Sequence, residues 1–161
     1  MARTIAVTLE CFVKKGDKYL MLHRSPSKRI LPNVWMAPGG HREFNEGLFA
    51  CARREVREET GLEITNIRIR AHGNAFLKEL NEEFYFHLLL ADYAGGTLKP
   101  KIEDGEFVWL TEQEICTLPT LLAELKHVVP HICSNNNKVI SYKAVIEKGN
   151  EMSYFEIEKD E

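Results

Sequence analysis

The chain has 161 residues, of which 44% are hydrophobic and 28% are charged. This composition is ordinary for a soluble globular protein, and the length suits one domain with a substantial core. We therefore predict a single domain over residues 1–161. The 21 basic and 24 acidic residues give a net charge of −3, which argues against duplex nucleic acid as the main partner and is compatible with a small phosphorylated ligand.

The four cysteines are far apart in the sequence and form no C-x-x-C pair. This scatter argues against a zinc site and indicates reduced thiols. No apolar run approaches the ~20 residues of a membrane span, and the first residues lack a signal-peptide pattern. We expect a cytoplasmic protein without a membrane partner; the sequence leaves monomer and homodimer open.

The first half of the chain alternates apolar and polar residues in a way that predicts strands around one long helix. In order, we expect a hairpin, an ordered loop with two prolines, a helix that ends at Gly61, and two strands separated by a loop. The hairpin strands cover residues 4–13 and 19–22, and the loop covers 24–33. After the helix, the two strands cover 64–71 and 83–92, and the loop after the first of them covers 72–76.

The second half predicts a short strand, two helices and a closing hairpin. Thr111 and Glu114 have the spacing of a capping box, which predicts a helix start. The remaining elements are a strand over 106–110, a helix over 118–133 that Pro130 interrupts, and strands over 139–147 and 152–158. Helices available on both sides of a mixed sheet define an α/β fold, the α/β/α sandwich.

Three glutamates crowd one side of the first helix. Glu55, Glu58 and Glu59 are one to four residues apart, so their carboxylates project toward one another within about one turn. At roughly 100° per residue, Glu59 falls inside the apolar stripe, Glu55 at its edge and Glu58 just beyond. Such carboxylates are costly unless paired, and oxygen-only ligation suits Mg²⁺ or Mn²⁺. The alternative is a solvated, charged surface helix.

The spacing of these residues forms a longer motif over residues 40–62. It reads Gly40, five residues, Glu46, seven residues, Arg54-Glu55-Val56, one residue, Glu58-Glu59, one residue, Gly61-Leu62. This stretch resembles the Nudix box at every defining position. The resemblance implies a Nudix fold and a hydrolase of nucleoside diphosphates linked to another group, working with Mg²⁺ or Mn²⁺.

The resemblance also implies roles for individual box residues. Glu55, Glu58 and Glu59 would bind metal and carry catalysis, with Gly40 as a further metal contact. Glu46 and Arg54 would hold the loop and helix in place, and we count Arg54 among the catalytic residues. Either Glu59 or Glu55 could remove the proton from water.

Outside the box, the chain resembles the MutT-type oxidised-purine nucleoside triphosphate diphosphatases. The similar segments are LMLHRSPSKRILPNVWMAPGGHRE, EFYFHLLLADYAGG, GEFVWLTEQEI and SYKAVIEKGNEMSYFEIE. The resemblance implies conversion of 8-oxo-dGTP to the monophosphate and pyrophosphate. One departure is that the relatives' Trp after a Pro is missing from Pro119-Thr120-Leu121, with Glu124 as the acid behind it.

The residues expected to bind substrate lie on both sides of the box. Asn33 could hydrogen-bond a base edge or serve as a turn residue after Pro32; Phe76 and Glu124 are further candidates for the base pocket. Arg24 and Lys28 could meet phosphates or be ordinary solvated charges. Gly39, in Pro38-Gly39-Gly40, permits close backbone approach to a diphosphate.

A further acid from outside the helix is expected to complete the metal site. We choose Glu106, with Glu103 and Asp104 as alternatives. The leading hypothesis is a Mg²⁺-dependent pyrophosphohydrolase of oxidised purine nucleotides. The alternatives are a Nudix hydrolase for a canonical dNTP, a nucleotide sugar or capped RNA, and a regulator that binds a nucleotide without cleaving it.

Overall fold

The computed structural model describes residues 4–161. In this part of the chain, ten strands form one mixed sheet, and three α-helices and a short 3₁₀ turn pack around it. The strands are β1 Ile5–Lys15, β2 Lys18–Arg24, β3 Trp35–Met36, β4 Gly39–His41, β5 Leu62–Leu77, β6 Glu82–Gly96, β7 Lys101–Ile102, β8 Gly105–Thr111, β9 Ile140–Lys148 and β10 Glu151–Ile157. The helices are α1 Leu48–Thr60, α2 Glu112–Cys116 and α3 Leu125–Cys133, and the 3₁₀ turn spans Lys78–Leu80.

The sheet divides along β1. This strand pairs in parallel with β6 over most of its length, with β4 at residues 8–10, and with β2 only at the hairpin end. The main strand order is β10-β9-β5-β6-β1-β2-β8-β7. The prediction that residues 83–92 form a central strand is confirmed, because β6 lies between β5 and β1.

Each face of the sheet carries a hydrophobic core. On one face, α1 contributes Cys51, Ala52 and Val56, which pack with Leu9, Cys11 and Val13 of β1. On the opposite face, α3 contributes Leu125, Val128 and Val129, which pack with Phe12, Leu88 and Leu90. The predicted α/β/α sandwich is therefore confirmed. Since strand side chains alternate, odd-numbered residues of β1 face α1 and even-numbered ones face α3.

The loop predicted for residues 72–76 is wrong, because β5 continues through it. The strand pairs with β6 on one side and in parallel with β9 on the other. A Cβ atom at Gly73 would lie 1.9 Å from Cζ of Tyr142, so the glycine lets this ring pack against the strand. Long-range pairing has overridden a local sequence rich in turn-forming residues.

The helix predicted over 118–133 is shorter than expected. It begins at Leu125, and Pro130 lies inside it without ending it. The preceding segment instead bonds across to β3: Trp35 N–H donates to Thr120 O and Leu122 N–H donates to Trp35 O, both at 3.0 Å. This segment carries Glu124 toward the sheet. Among residues 4–161, no helix combines the length and apolar character that crossing a bilayer requires.

The predicted capping box of α2 is confirmed. Glu114 N–H donates to Thr111 Oγ1 at 3.2 Å, and Thr111 N–H donates to Glu114 Oε2 at 2.8 Å.

Candidate active site

Two glycines of β4 bring the backbone against the carboxylates of α1. A Cβ atom at Gly40 would lie 2.5 Å from Cδ of Glu55, so a larger residue could not stand beside this carboxylate unchanged. A Cβ atom at Gly39 would lie 2.0 Å from Leu9 O, on the neighbouring β1. The small residues therefore allow β4 to lie between β1 and the helix, next to Glu55 and Glu59.

Glu59 lies between α1 and β4. Its Oε2 accepts a hydrogen bond from Gly39 N–H at 3.2 Å. Burial raises the pKa of Glu59 to about 8, the Gly39 N–H opposes the rise, and the charges of Glu55 and Asp104 add to it. A carboxyl in this position is mostly protonated at neutral pH and would ionise on meeting a cation.

Arg54 joins the acids of the loop to those of the helix. Its Nε and Nη2 donate to Glu46 at 2.7 and 2.9 Å, and its Nη1 donates to Glu55 at 2.8 Å and Glu58 at 3.2 Å. Nη2 also donates to His41 O at 3.1 Å. Arg54 and Glu46 are thus placed to hold loop and helix together. Of the two roles expected for Arg54, positioning and catalysis, these contacts correspond to positioning.

The three box carboxylates differ in exposure. Glu55 and Glu59 are partly buried, whereas the Glu58 side chain is 61% exposed. This order follows the angles predicted from helix periodicity. The expected convergence of all three carboxylates is not seen: within residues 4–161, no group of three or more His, Cys, Asp or Glu residues has the geometry of a metal site. Arg54 is instead the shared partner of Glu55 and Glu58.

The donor set nevertheless fits a hard divalent cation. Carboxylate and backbone oxygens, which Mg²⁺ and Mn²⁺ prefer, lie where β4 meets α1, beside the Arg54 guanidinium. A cation there would favour the ionised form of Glu59, whose pKa burial raises. Glu55, Glu58 and Glu59 are the residues that could hold it.

The basic loop after β2 lies beside this point. Arg24 Nη2 donates to Ile30 O at 2.8 Å and Nε donates to Leu31 O at 3.2 Å, which folds the loop. Its charge also opposes the rise in the pKa of Glu59. Lys28 forms an ion pair with Asp104. Each of the two cations therefore already has a partner.

The choice of Glu106 as the additional acid is not supported by its position. Glu106 is exposed and pairs with Lys101 on the outer hairpin at 3.6 Å. Asp104, one of the two alternatives, is the acid whose charge reaches Glu59. Asp104 lies in the turn between β7 and β8, where its backbone carbonyl accepts from Ser25 N–H at 2.8 Å.

A small cavity opens on the α3 face of the sheet, with Glu124 in its wall. Glu124 is 2% exposed, and among residues 4–161 its Oε2 has no hydrogen-bond partner. Burial raises its pKa to about 7. The cavity, of about 50 Å³, adjoins a larger groove of about 380 Å³ that shares Leu31, Leu77, Ile146 and Gly149 with it. Met36 and Phe86 complete the apolar walls near Glu124.

Two of the predicted base-pocket residues are not in this cavity. Asn33 is exposed and adopts φ +61°, and its carbonyl accepts from Thr120 Oγ1 at 2.8 Å. The alternative prediction, a turn residue, describes it correctly. Phe76 lies on the face of β5 opposite Leu77, so strand alternation puts Leu77 beside the cavity instead. The structure therefore does not bring Phe76 and Glu124 together.

Sequence reasoning missed Glu10. This side chain on β1 is 2% exposed, and its Oε1 accepts from Ala37 N–H at 3.0 Å. Burial first, and then the charge of Glu124, raise the pKa of Glu10 to about 8. The available signal was a lone acid inside the apolar run Leu9 to Val13, at an even position shared with Phe12.

The loop, helix and glycine geometry is that of a Nudix domain. A family model described as NUDIX domain matches residues 2–132, and the chain therefore belongs to the Nudix family. The MutT protein from Bacillus halodurans has the same fold, with a TM-score of 0.82 over 95% of this chain and 97% of that one, at 20% identity.

Several of the curated relatives that the chain matches are named as hydrolases of capped RNA. The chain is 37% identical over 116 residues to the NAD-capped RNA hydrolase NudC of Vibrio atlanticus, which is 69% of this chain and 40% of that protein. It is 46% identical over 52 residues to the m7GpppN-mRNA hydrolase NUDT17 of Xenopus laevis, which is 32% of this chain and 18% of that protein. The chain thus spans at most about two fifths of these relatives. Their names support the enzyme class predicted from the sequence.

Proposed function

We propose that this protein is a Mg²⁺- or Mn²⁺-dependent pyrophosphohydrolase that acts on a purine nucleoside triphosphate such as 8-oxo-dGTP. The observation that carries the proposal is the contact of β4 with α1. There, Gly39 N–H donates to Glu59, and Gly40 leaves room for the Glu55 carboxylate. The contact brings together carboxylates and a backbone donor, the groups that a metal-bound diphosphate requires.

The residues of the chain have distinct parts in this chemistry. A bound divalent ion would neutralise phosphate oxygens and lower the pKa of the attacking water. Glu55, Glu58 and Glu59 would hold that ion, and Glu59 or Glu55 would accept the proton from water. Arg54 would keep Glu55 oriented through its 2.8 Å contact.

The basic loop and the acid after β7 would face the polyphosphate. Arg24 and Lys28 supply positive charge beside the box, and Gly39 supplies a backbone donor. Asp104 is the additional acid that we assign to the metal side, in place of Glu106, because its charge acts on Glu59.

Glu124, at the junction of the 50 Å³ cavity with the 380 Å³ groove, supports a purine as the base, because the groove supplies the space that the cavity alone lacks. An ionised carboxylate accepts hydrogen bonds only, and the Watson–Crick edge of a guanine-type base presents neighbouring N–H donors. The unpartnered Oε2 of Glu124 is placed to accept one of them. Phe86 supplies an aromatic wall of this cavity.

A capped RNA end is the second candidate substrate. It is supported by the relatives from Vibrio atlanticus and Xenopus laevis, whose names specify capped RNA. The 380 Å³ groove next to the cavity would leave room for a second group attached to the diphosphate.

A substrate panel tests the proposal. Turnover of 8-oxo-dGTP, dGTP, dATP, dCTP, NAD-capped RNA and m7G-capped RNA is measured with Mg²⁺, and pyrophosphate, phosphate and nucleotide products are quantified. We expect monophosphate and pyrophosphate from 8-oxo-dGTP, with kcat/KM at least tenfold above that for dGTP. EDTA should abolish turnover, and added Mg²⁺ or Mn²⁺ should restore it.

The panel also defines what would overturn the proposal. Equal rates on dGTP and 8-oxo-dGTP would reject selectivity for the oxidised base, and preferred cleavage of either cap would establish the second candidate. Nucleotide binding without metal-dependent product release would identify a non-catalytic regulator. Protein with Glu59→Gln, purified in the same way, gives the background of contaminating hydrolases.

A further inference from the structure

Glu10 is a buried acid on the face of β1 that packs in the hydrophobic core beneath α3. Its side chain lies on the α3 face of β1, the face that Phe12 fills with an aromatic ring in the core. A carboxyl buried in such surroundings is costly unless a specific partner uses it. In residues 4–161, no Lys or Arg forms an ion pair with Glu10 or with Glu124.

The partner of Glu10 is the segment that leads into the box. Glu10 Oε1 accepts from Ala37 N–H at 3.0 Å, and the next residue, Cys11, donates its N–H to Pro38 O at 2.7 Å. In the sheet, Glu10 stands opposite Gly39, whose own N–H donates to Glu59. Glu10 therefore fixes the middle of a short backbone segment that ends on a catalytic acid.

The other end of the same segment lines the cavity. Met36 precedes Ala37, and it lies with Glu124 in the cavity wall. Beyond the effect of burial, the charge of Glu124 raises the pKa of Glu10, and the charges of both acids raise the pKa of the Tyr142 hydroxyl. Among residues 4–161 this hydroxyl has no hydrogen-bond partner. Arg70, a buried cation near the end of α3, donates to the His131 and Ser134 carbonyls instead. Glu10 thus lies between the cavity and the diphosphate loop.

We propose that Glu10 is a positioning residue that couples the filling of the base cavity to the placement of Gly39 and Glu59. The coupling rests on the proposed function, because it requires a base in the Glu124 cavity during turnover. A base seated against Met36 and Glu124 presses on one end of the Met36–Gly39 segment, and Glu10 keeps the middle fixed so that Gly39 stays on Glu59. Base identity would then be expressed in kcat as well as in KM.

Two substitutions at Glu10 separate this role from general stability. Glu10→Gln keeps an oxygen that can accept from Ala37 N–H, whereas Glu10→Met has similar length and no acceptor. We expect Glu10→Met to lower kcat about tenfold, the scale of losing the partner of a buried N–H, with KM changed less than twofold. Glu10→Gln should restore most of kcat. Thr8→Val, which removes another buried polar group from the same face of β1, should leave kcat unchanged.

A double-mutant cycle and amide exchange complete the test. Replacing Glu124 with Gln should change kcat less in the Glu10→Met background than in the wild type, because the coupling is already broken. Hydrogen exchange at Ala37 and Gly39 should be faster in Glu10→Met than in Thr8→Val, with or without nucleotide.

The outcomes distinguish the coupling from the proposed function. A wild-type protein that cleaves no nucleotide would refute the proposed function, whereas unchanged exchange at Gly39 in Glu10→Met would refute the coupling by itself. Equal kcat values for Glu10→Met and Glu10→Gln, a change confined to KM, or fully additive Glu10 and Glu124 effects would also overturn it.

Discussion

At the scale of single residues, Glu59 is held between opposing effects. Burial raises the pKa of its carboxyl to about 8, whereas the hydrogen bond from Gly39 N–H favours the ionised form. A bound cation would favour the ionised form of Glu59 further. At the neighbouring Gly40, any side chain would occupy the space of the Glu55 carboxylate.

Neutral replacement of the box carboxylates should remove activity and spare the fold. We expect Glu59→Gln and Glu58→Gln to lower kcat by two orders of magnitude or more, because the metal-holding charge is lost while side-chain shape is kept. Steady-state kinetics and urea unfolding measure the two effects. Glu63→Gln, which breaks the exposed Arg57 ion pair just after α1, is the matched control and should retain full turnover. Wild-type turnover in either box variant would reject the metal-site assignment.

A single methyl group should distinguish Gly40 from another glycine of the same loop. Gly40→Ala places Cβ within 2.5 Å of the Glu55 carboxyl carbon, so we expect a loss of kcat of tenfold or more. Gly47→Ala meets no atom within 4 Å, at φ −72°, and should cost little activity. Comparable kcat values for the two variants would contradict the close approach of Gly40 to Glu55.

At the scale of the element, loop and helix form one unit because ion pairs and caps join them. Arg54 links Glu46 in the loop to Glu55 in the helix. At the other end of α1, Thr60 Oγ1 accepts from Leu62 N–H at 3.0 Å and Gly61 turns with φ +80°. These contacts therefore fix the positions of both ends of α1.

The ion pair of Glu46 should give this unit a stability that depends on pH. Hydrogen bonds from Arg54 lower the pKa of Glu46 to about 2. Its contribution is therefore fully present above pH ~4.5 and is lost as pH falls toward 2. Urea unfolding from pH 5.5 to 2.5 should show the wild type losing its advantage over Glu46→Gln in that window.

Activity separates this pair from other ion pairs of the helix. Glu46→Gln should also lower turnover at neutral pH, since Arg54 loses its main anchor in the loop. The wild type should likewise lose its stability advantage over Glu63→Gln as the pH falls, because Arg57 lowers the pKa of Glu63, but Glu63→Gln should not lose turnover. Full activity of Glu46→Gln would contradict a positioning role for this pair.

At the scale of the whole molecule, each face of the sheet carries acids that we assign to the proposed site. The box acids lie on the α1 face at the edge of β4, whereas Glu10 and Glu124 lie on the α3 face, within the opposite core. The Met36–Gly39 segment passes between them, since Met36 packs against both hydrophobic cores.

The two buried acids should make the folded protein less stable as pH rises above ~4.5. Their pKa values are raised, to about 8 for Glu10 and about 7 for Glu124. The folded state therefore holds protons that the unfolded chain has released, and stability falls between pH ~4.5 and 8. Urea unfolding across this range should give a shallower slope for the Glu10→Gln/Glu124→Gln double variant. An unchanged slope would mean that these acids do not titrate as described.

The sequence was most informative where function depends on local spacing. The motif from Gly40 to Leu62 placed Glu55, Glu58, Glu59 and Arg54 on one helix, and the capping box at Thr111 predicted the start of α2. Predictions that depended on distant partners were less successful. Residues 72–76 form strand because β9 pairs with them. Glu106 lies on β8 and pairs with Lys101, whereas the charge of Asp104, in the turn before β8, raises the pKa of Glu59.

By itself, therefore, the sequence determined the family, the box and the sandwich of helices on a mixed sheet, because helix periodicity and motif spacing are properties of neighbouring residues. Only the tertiary structure decided which side chains meet. The alternation of β5 selected Leu77 over Phe76, the late start of α3 carried Glu124 into the cavity, and the pairing of β1 with β4 set Glu10 under Ala37. Those contacts depend on pairing between segments far apart in the chain, which no local pattern specifies.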